Sequence, residues 1–217
     1  DKSALRRHQE SAYSKFGLGS TLLAGDFLFV RAFGLCSRLD SSVIHWTEEA
    51  CVKLTEGEIL EDGKIQEKSI EDVVEIAKRK TSALFALAAQ CSSHIAGAGA
   101  ESVEYARQFG EQLGIAFQLV DDILDVRASE DILGKPAGGD LRERKPSLIN
   151  ILWLQSGDAL ARELLVPNGK TISDESIQRG LNTVREHPIV DEAKRLALSH
   201  VDGARKALDA AIKNSNV

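Results

Sequence analysis

Apolar residues recur at intervals of three and four along most of the chain, the spacing that places them on one face of an α-helix. This pattern predicts helices at about residues 19–39, 41–60, 69–96, 100–126, 147–155, 158–165, 174–186 and 188–211. Suitable N-caps stand at Ser41, Ser69, Asp158 and Ser173. Alternating apolar and polar runs are too short to indicate strands. We therefore predict a single all-α domain, a helical bundle, over residues 1–217.

The composition is that of an ordinary globular protein, with 43% of the 217 residues hydrophobic and 28% charged. A formal net charge of -6 argues against nucleic acid as a partner, and no predicted helix carries a dominant basic stripe. The five histidines are scattered without the spacing of zinc ligands, so a zinc site is not expected.

Cysteine usage and hydropathy indicate where the protein resides. Cys36, Cys51 and Cys91 lie far apart in apolar surroundings, which predicts reduced, buried thiols and a cytoplasmic protein, with an organelle-targeted precursor as the alternative. The longest apolar stretch, residues 21–33, contains two charged residues and is shorter than the roughly 20 residues that cross a bilayer. We therefore expect no membrane-spanning helix.

The strongest chemical signal is an acidic helix end near residue 121. Asp121, Asp122 and Asp125 fall within one helical turn, so that Asp125 lies beside both of the others, and Gln118 lies one turn earlier. Adjacent carboxylates repel one another, and Mg²⁺ relieves that repulsion by binding one or two of them together with phosphate oxygens. The pattern therefore predicts a magnesium site facing an anion.

A glycine-rich loop with basic residues follows this helix. Gly138 and Gly139 let the backbone approach a ligand closely, and Lys135 and Lys145 supply positive charge around Asp140. A DDxxD string alone most often marks a solvated acidic helix end. The combination found here, FQxxDDxxD followed by GKPxGGDLxxxK, is far more specific.

The combined segment resembles the second aspartate-rich motif of the trans-isoprenyl diphosphate synthases, the polyprenyl synthetase family. The resemblance implies an isoprenoid-synthase-type helical bundle with a central active-site cavity. It implies that Mg²⁺ bridging an allylic diphosphate is bound by Asp121, Asp122 and Asp125, with Asp140 near the metal. It also implies that Lys135 and Lys145 bind the diphosphate and that Gln118 lies close to the reacting carbons.

Lys80 and Thr81 match the Lys-Thr pair of the same family. There the ammonium would hold a diphosphate as a point charge, and the hydroxyl would add a hydrogen bond. Taken alone, Lys80 is equally a surface lysine on an amphipathic helix. However, Lys80 lies about 16 to 18 residues before the turn between two predicted helices and Asp121 about 22 after it, so at a rise of about 1.5 Å per residue both fall toward one end of the bundle.

The first residues resemble the region around the family's first aspartate-rich motif. Arg6 and Arg7 precede the KFG string at residues 15–17 by the family's spacing, which places Asp1 in register with the last aspartate of that motif. The resemblance implies that Arg6 and Arg7 bind the allylic and homoallylic diphosphates. We therefore expect the sequence to begin inside this motif and to represent the C-terminal two thirds of the family domain, without its first helices.

These observations predict a Mg²⁺-dependent trans-prenyltransferase. It would condense an allylic diphosphate with isopentenyl diphosphate into a linear product, geranylgeranyl or longer, as a homodimer. A noncatalytic regulatory subunit of a heteromeric synthase is an alternative, because the HQE string at residues 8–10 departs from the family pattern. A class I terpene cyclase is a further alternative, against which the GKPxGGDLxxxK string argues.

Overall fold

The computed structural model describes residues 5–6, 9–127, 137–167 and 171–214, with the backbone alone described at residues 5–6. Two compact units are formed by residues 1–49 with 128–137 and by residues 50–127 with 138–217. Almost every described residue is helical, so the predicted all-α fold is confirmed. The single domain over residues 1–217 stays a prediction.

The first unit begins with a small hairpin that the apolar pattern does not predict. Leu5–Arg6 (β1) pairs antiparallel with Gln9–Glu10 (β2), and helix α1, Ala12–Cys36, follows. The helix begins earlier than predicted because Ser11 caps it, accepting the backbone N–H of Ser14 at 3.1 Å. Gly17 interrupts α1 with a φ of 77°, which explains why regular apolar spacing is visible only after it.

Helix α1 is more exposed and more apolar than expected. It is 25 residues long, its most apolar window has a mean hydropathy of 1.4, and none of that window is buried. By length and composition α1 could therefore cross a membrane, which the expectation drawn from residues 21–33 did not foresee. One helix of this kind is weak evidence for a membrane protein.

Helix α2, Ser41–Glu61, runs from the first unit into the second. Its N-terminus is capped by Asp40 rather than by the predicted Ser41, because Asp40 Oδ1 accepts the backbone N–H of Ser42 at 2.8 Å. All three cysteines are partly exposed, so the prediction that they are buried was wrong.

The second unit is built on a long hairpin. After a short 3-10 turn at Ile65–Glu67, helix α3, Ile70–Ala77, leads into a π-helical turn, Lys78–Ser82, and then into α4, Ala83–Ile95. This segment was predicted as a continuous helix over residues 69–96. Helix α5, Ala100–Arg127, returns alongside α4.

Five further helices follow α5 among the described residues. They are α6, Gly139–Glu143; α7, Leu148–Gln155; α8, Ala159–Leu165; α9, Asp174–Glu186; and α10, Ile189–Asn214. Helices α10 and α4 both pack along α5. Helix α7 is apolar except for Asn150 and Gln155, and it contributes strongly to the core, with residues 148–153 all buried.

Trp153 illustrates how this core is closed. Its side chain is fully buried, and its Nε1 donates a hydrogen bond to Asp158 Oδ2 at 3.0 Å. Asp158 Oδ1 at the same time accepts the backbone N–H of Leu160 at 2.8 Å, as the N-cap of α8. The predicted cap therefore also anchors the largest buried side chain.

Candidate active site

The three aspartates at the end of α5 do not share one environment. Asp121 is exposed, whereas Asp122 and Asp125 are 5% and 2% exposed. The cause is the helical repeat, which turns Asp121 toward solvent while its two neighbours face the helices packed on α5. The acidic cluster predicted from spacing is thus one outward carboxylate beside two inward ones.

Asp122 is held by hydrogen bonds to both of its carboxylate oxygens. Oδ1 accepts from Gln118 Nε2 at 3.0 Å, and Oδ2 accepts the backbone N–H of Leu148 at 2.8 Å, at the first residue of α7. Burial raises the pKa of Asp122 to about 6; the negative charges of Asp121 and Asp125 add to the rise, and the two hydrogen bonds oppose it.

Asp125 ties the glycine-rich segment to α5. Its Oδ2 accepts the backbone N–H of Asp140 at 3.0 Å, and its backbone carbonyl accepts the N–H of Gly138 at 2.9 Å. Gly138 has a φ of 76°, a conformation that glycine adopts without steric cost. A Cβ at Gly139 would lie 3.5 Å from Asp125 Oδ1, so the backbone approaches this carboxylate closely.

Gln118 connects this helix end to the π-helical turn. Thr81 Oγ1 donates to Gln118 Oε1 at 2.7 Å, and Gln118 Nε2 donates onward to Asp122. The two partners fix the orientation of the Gln118 amide, because its oxygen and its nitrogen each have a defined role. This contact also joins the two helices of the hairpin near one end, as the residue spacing predicts.

The π-helical turn is seated between helices that approach it at glycine residues. A Cβ at Gly57 of α2 would lie 2.5 Å from the Lys80 backbone nitrogen, and one at Gly114 of α5 would lie 2.5 Å from Ser82 Cα. Ser82 Oγ also donates to the carbonyl of Glu111 on α5 at 2.6 Å. Side chains of any size at the two glycines would push the turn away, so close packing places Lys80 and Thr81. Isolated π-helical turns often occur at functional sites.

Lys80 lies between two carboxylates of α2. Its Nζ is 2.7 Å from Glu61 Oε2 and 3.0 Å from Glu58 Oε2, and its side chain is 28% exposed. Burial is the largest single influence and lowers the pKa of Lys80, but the two glutamates together outweigh it and raise that pKa. Lys80 is therefore a held, charged ammonium rather than a solvated surface lysine.

Lys145 follows α6 and faces carboxylates as well. Its Nζ is 3.2 Å from Glu143 Oε2 and 4.0 Å from Asp140 Oδ1. Burial lowers its pKa, while Asp140, Glu143 and Glu61 raise it by a larger amount. Glu61 thus acts electrostatically on both described lysines that were predicted to bind diphosphate.

Some residues of this site were not predicted from the sequence. Asn150 Nδ2 donates to the backbone carbonyls of both Asp140 and Lys145 at 3.0 Å, which fixes the segment after α6. Glu58 and Glu61 are the other omission. The GEILE string spaces them three residues apart, which places both on one face of α2. This spacing could have indicated an acidic pair.

Four predicted residues cannot be placed. Asp1, Arg7 and Lys135 lie outside the described residues, and at Arg6 only the backbone is described, within β1. Their assigned roles stay predictions.

Among the three aspartates at the end of α5, Asp121 is the one best suited to bind Mg²⁺. Within the described part of the chain, no group of three or more acidic, histidine or cysteine side chains is arranged to hold a metal ion. Mg²⁺ commonly takes only one or two carboxylates and completes its shell with phosphate oxygens and water. The exposed Asp121 suits that role, while the carboxylates of Asp122 and Asp125 already accept hydrogen bonds from the protein.

Comparison with protein families decides what kind of protein carries this site. The model of the polyprenyl synthetase family matches residues 1–182. The chain belongs to this family. An octaprenyl diphosphate synthase from Haemophilus influenzae is 37% identical to this chain over 218 residues, which cover 97% of the chain but 64% of that relative. A geranylgeranyl diphosphate synthase from Methanosarcina mazei is 31% identical, over 96% of the chain and 66% of the relative.

Solved structures agree with this assignment. A polyprenyl synthase from Caulobacter crescentus, complexed with calcium and isoprenyl diphosphate, superimposes with a TM-score of 0.89 at 30% identity, over 95% of this chain and 65% of that one. The resemblance to the polyprenyl synthetase family and the isoprenoid-synthase type of fold are therefore confirmed. The present chain spans less than two thirds of the length of the Haemophilus relative.

Proposed function

We propose that the full-length protein is a trans-prenyltransferase. It would condense an allylic diphosphate with isopentenyl diphosphate and release a linear polyprenyl diphosphate. The observation that carries this proposal is the hydrogen-bonded chain from Thr81 through Gln118 to the buried carboxylate of Asp122. It orients the Thr81 hydroxyl and the Gln118 amide next to Lys80 in the same part of the site, and oriented dipoles of this kind would stabilise a developing carbocation.

The lysines would hold the diphosphate group. The Lys80 and Lys145 ammonium groups keep their charge, because nearby carboxylates raise the pKa of each. An ammonium provides three donors, so Lys80 can retain a carboxylate partner and still donate to a phosphate oxygen. When bound at Asp121, Mg²⁺ supplies further neutralisation of the leaving group.

Thr81 and Gln118 would face the reacting carbons with oxygen atoms. Positive charge that develops on an allylic carbon is stabilised by dipoles that are already oriented, because no reorganisation is then needed during the reaction. Gln118 cannot turn its amide over without losing both the hydrogen bond from Thr81 and the one to Asp122. Asp122 thus acts on the reaction indirectly, by orienting Gln118.

We propose Mg²⁺ as the metal, a geranylgeranyl or longer product, a homodimer and a cytoplasmic location. The named relatives include synthases of geranylgeranyl and octaprenyl diphosphates, so chain length has to be measured. Chromatography of the products fixes the chain length, and light scattering fixes the number of subunits.

A direct assay tests the proposal. Full-length protein incubated with labelled isopentenyl diphosphate, an allylic starter and Mg²⁺ should give an elongated product. Thr81→Val removes the hydroxyl without a large change of shape and should lower turnover at least about tenfold. Thr55→Val is the matched control, since Thr55 is exposed on α2 and donates to the Cys51 carbonyl in its own helix. No product with any starter would refute the proposal and leave the regulatory subunit as the better reading.

A further inference from the structure

Both described lysines of the proposed site are already matched by carboxylates. Lys80 contacts Glu61 and Glu58, and Lys145 contacts Glu143, with Asp140 at the edge of ion-pair distance. A diphosphate that uses these ammonium groups must therefore share them with acids of the protein. This arrangement differs from a simple anion site, in which the basic side chains point at the ligand without competing partners.

Glu61 is the central acid of this arrangement. It makes the shorter of the two contacts to Lys80, 2.7 Å, and its charge also acts on Lys145. Its side chain is 27% exposed, whereas that of Glu58 is 53% exposed, so the Glu61 charge is the less screened of the two. Glu61 is also well placed to hold Lys80, because Gly57 of the same helix lies directly against the Lys80 backbone.

We propose that Glu61 is a positioning residue that holds the Lys80 ammonium in place and competes with diphosphate for it. The inference rests on the proposed function and adds that Glu61 limits the affinity of the site for diphosphate. In the absence of a divalent cation, Glu61 would keep the site from binding a bare diphosphate. A diphosphate whose charge is largely neutralised by Mg²⁺ relies less on the Lys80 ammonium, so the competition by Glu61 weakens its binding less.

The test measures binding rather than turnover. Inorganic pyrophosphate is titrated into full-length protein by calorimetry, once with a chelator and once with Mg²⁺. Glu61→Gln keeps the shape and a hydrogen-bond acceptor but removes the charge, and should tighten metal-free binding about fivefold, the upper end of the effect expected for one partly screened ion pair. With Mg²⁺ present the gain should be smaller. Glu58→Gln should give a weaker gain in the same direction.

Glu56→Gln is the matched control. Glu56 lies on the same helix and carries the same charge, but it pairs with Arg79 instead of Lys80; its side chain is 47% exposed, close to the 53% of Glu58 and above the 27% of Glu61. This variant should leave the affinity for pyrophosphate within about twofold of the wild type, since partly exposed charges beyond the ion-pair contact are screened. A Lys80→Met background completes the cycle: if the competition acts through Lys80, adding Glu61→Gln there should change affinity less than twofold.

The outcomes separate this inference from the proposed function. Failure of the wild type to bind pyrophosphate even with Mg²⁺ would count against the proposed function. Normal Mg²⁺-dependent binding combined with weaker, unchanged or undetectable metal-free binding by Glu61→Gln would overturn the inference alone. A gain that persists in the Lys80→Met background would overturn it as well, because the effect would then not pass through Lys80.

Discussion

Gly114 provides a sharp test of how the site is assembled. It lies in the middle of α5, one turn before Gln118, and faces the π-helical turn. A Cβ added at Gly114 would stand 2.5 Å from Ser82 Cα and 2.8 Å from Ser82 Cβ. Because carbon atoms pack best at about 3.5–4.0 Å, Gly114→Ala creates an overlap of about 1 Å with backbone, which cannot rotate away.

The expected cost follows from two opposing contributions. Overpacking of this kind costs about 2–3 kcal/mol, while alanine in place of glycine within a helix returns about 1 kcal/mol. The free energy of unfolding should therefore fall by about 1–2 kcal/mol. For a chain of this length that corresponds to a decrease in Tm of about 2–8 °C.

The assay compares two glycine variants by thermal and urea unfolding. Gly25→Ala is the control, because Gly25 lies inside α1 and an added Cβ would meet nothing within 4 Å. It should be neutral or stabilising by up to about 1 kcal/mol. Gly114→Ala should also lower turnover well below its Tm, since separating the helices lengthens the bond from Thr81 to Gln118. A Tm equal to or above that of the wild type would refute the close packing described here.

Three further changes test other parts of the structure. Asp121→Ala should lower turnover by at least about two orders of magnitude with little change in Tm, because it removes the exposed residue proposed to bind the metal. Steady-state kinetics will measure this, with Asp209→Ala as the control at another exposed aspartate. Near-normal turnover of Asp121→Ala would contradict the role. Asp122→Asn tests the raised pKa of Asp122: in metal-free buffer, the free energy of unfolding of the wild type relative to this variant should be greatest below pH 3.8. It should decline by up to about 3 kcal/mol as pH rises through about 6, because the fold favours the neutral acid. Denaturant titrations that give the same difference at every pH would exclude this. Trp153→Ala should lower the free energy of unfolding by about 3–5 kcal/mol and Trp153→Phe by less, as measured by urea unfolding. Equal decreases for the two variants would show that the hydrogen bond to Asp158 contributes more than the volume that the indole fills.

Most of the helical architecture could be predicted from apolar spacing, because long helices such as α5 and α10 pack one stripe of side chains against their neighbours. The exceptions have local causes. The π-helical turn at Lys78–Ser82 leaves the spacing of apolar residues almost unchanged, so the sequence of residues 69–96 resembles that of one regular helix. The turn depends on tertiary contacts: Gly57 and Gly114 have no side chain, so the backbone of the turn packs closely against α2 and α5. Spacing within one helix contains no information about such contacts.

The candidate site was predictable in its residue types but not in its pairing. The segment from Gln118 to Lys145 identifies the acids, and the structure brings Thr81 and Gln118 together as expected. The partners of the lysines could not be predicted, because Glu58 and Glu61 lie about twenty residues away from Lys80 along the chain and meet it only through helix packing. Burial of Asp122 and Asp125 was likewise missed, since a DDxxD string resembles a solvated helix end.

The DDxxD spacing acquires a physical explanation from this burial. Asp122 accepts the amide at the start of α7, and Asp125 accepts the amide of Asp140 at the start of α6. These carboxyl groups fasten to α5 both ends of the segment that carries Lys145. Asp121, one position away, is left facing outward. The same turn of helix therefore presents the proposed metal ligand and fixes the position of a lysine, so that substitutions at Asp122 or Asp125 should disturb Lys145 even where no metal is bound.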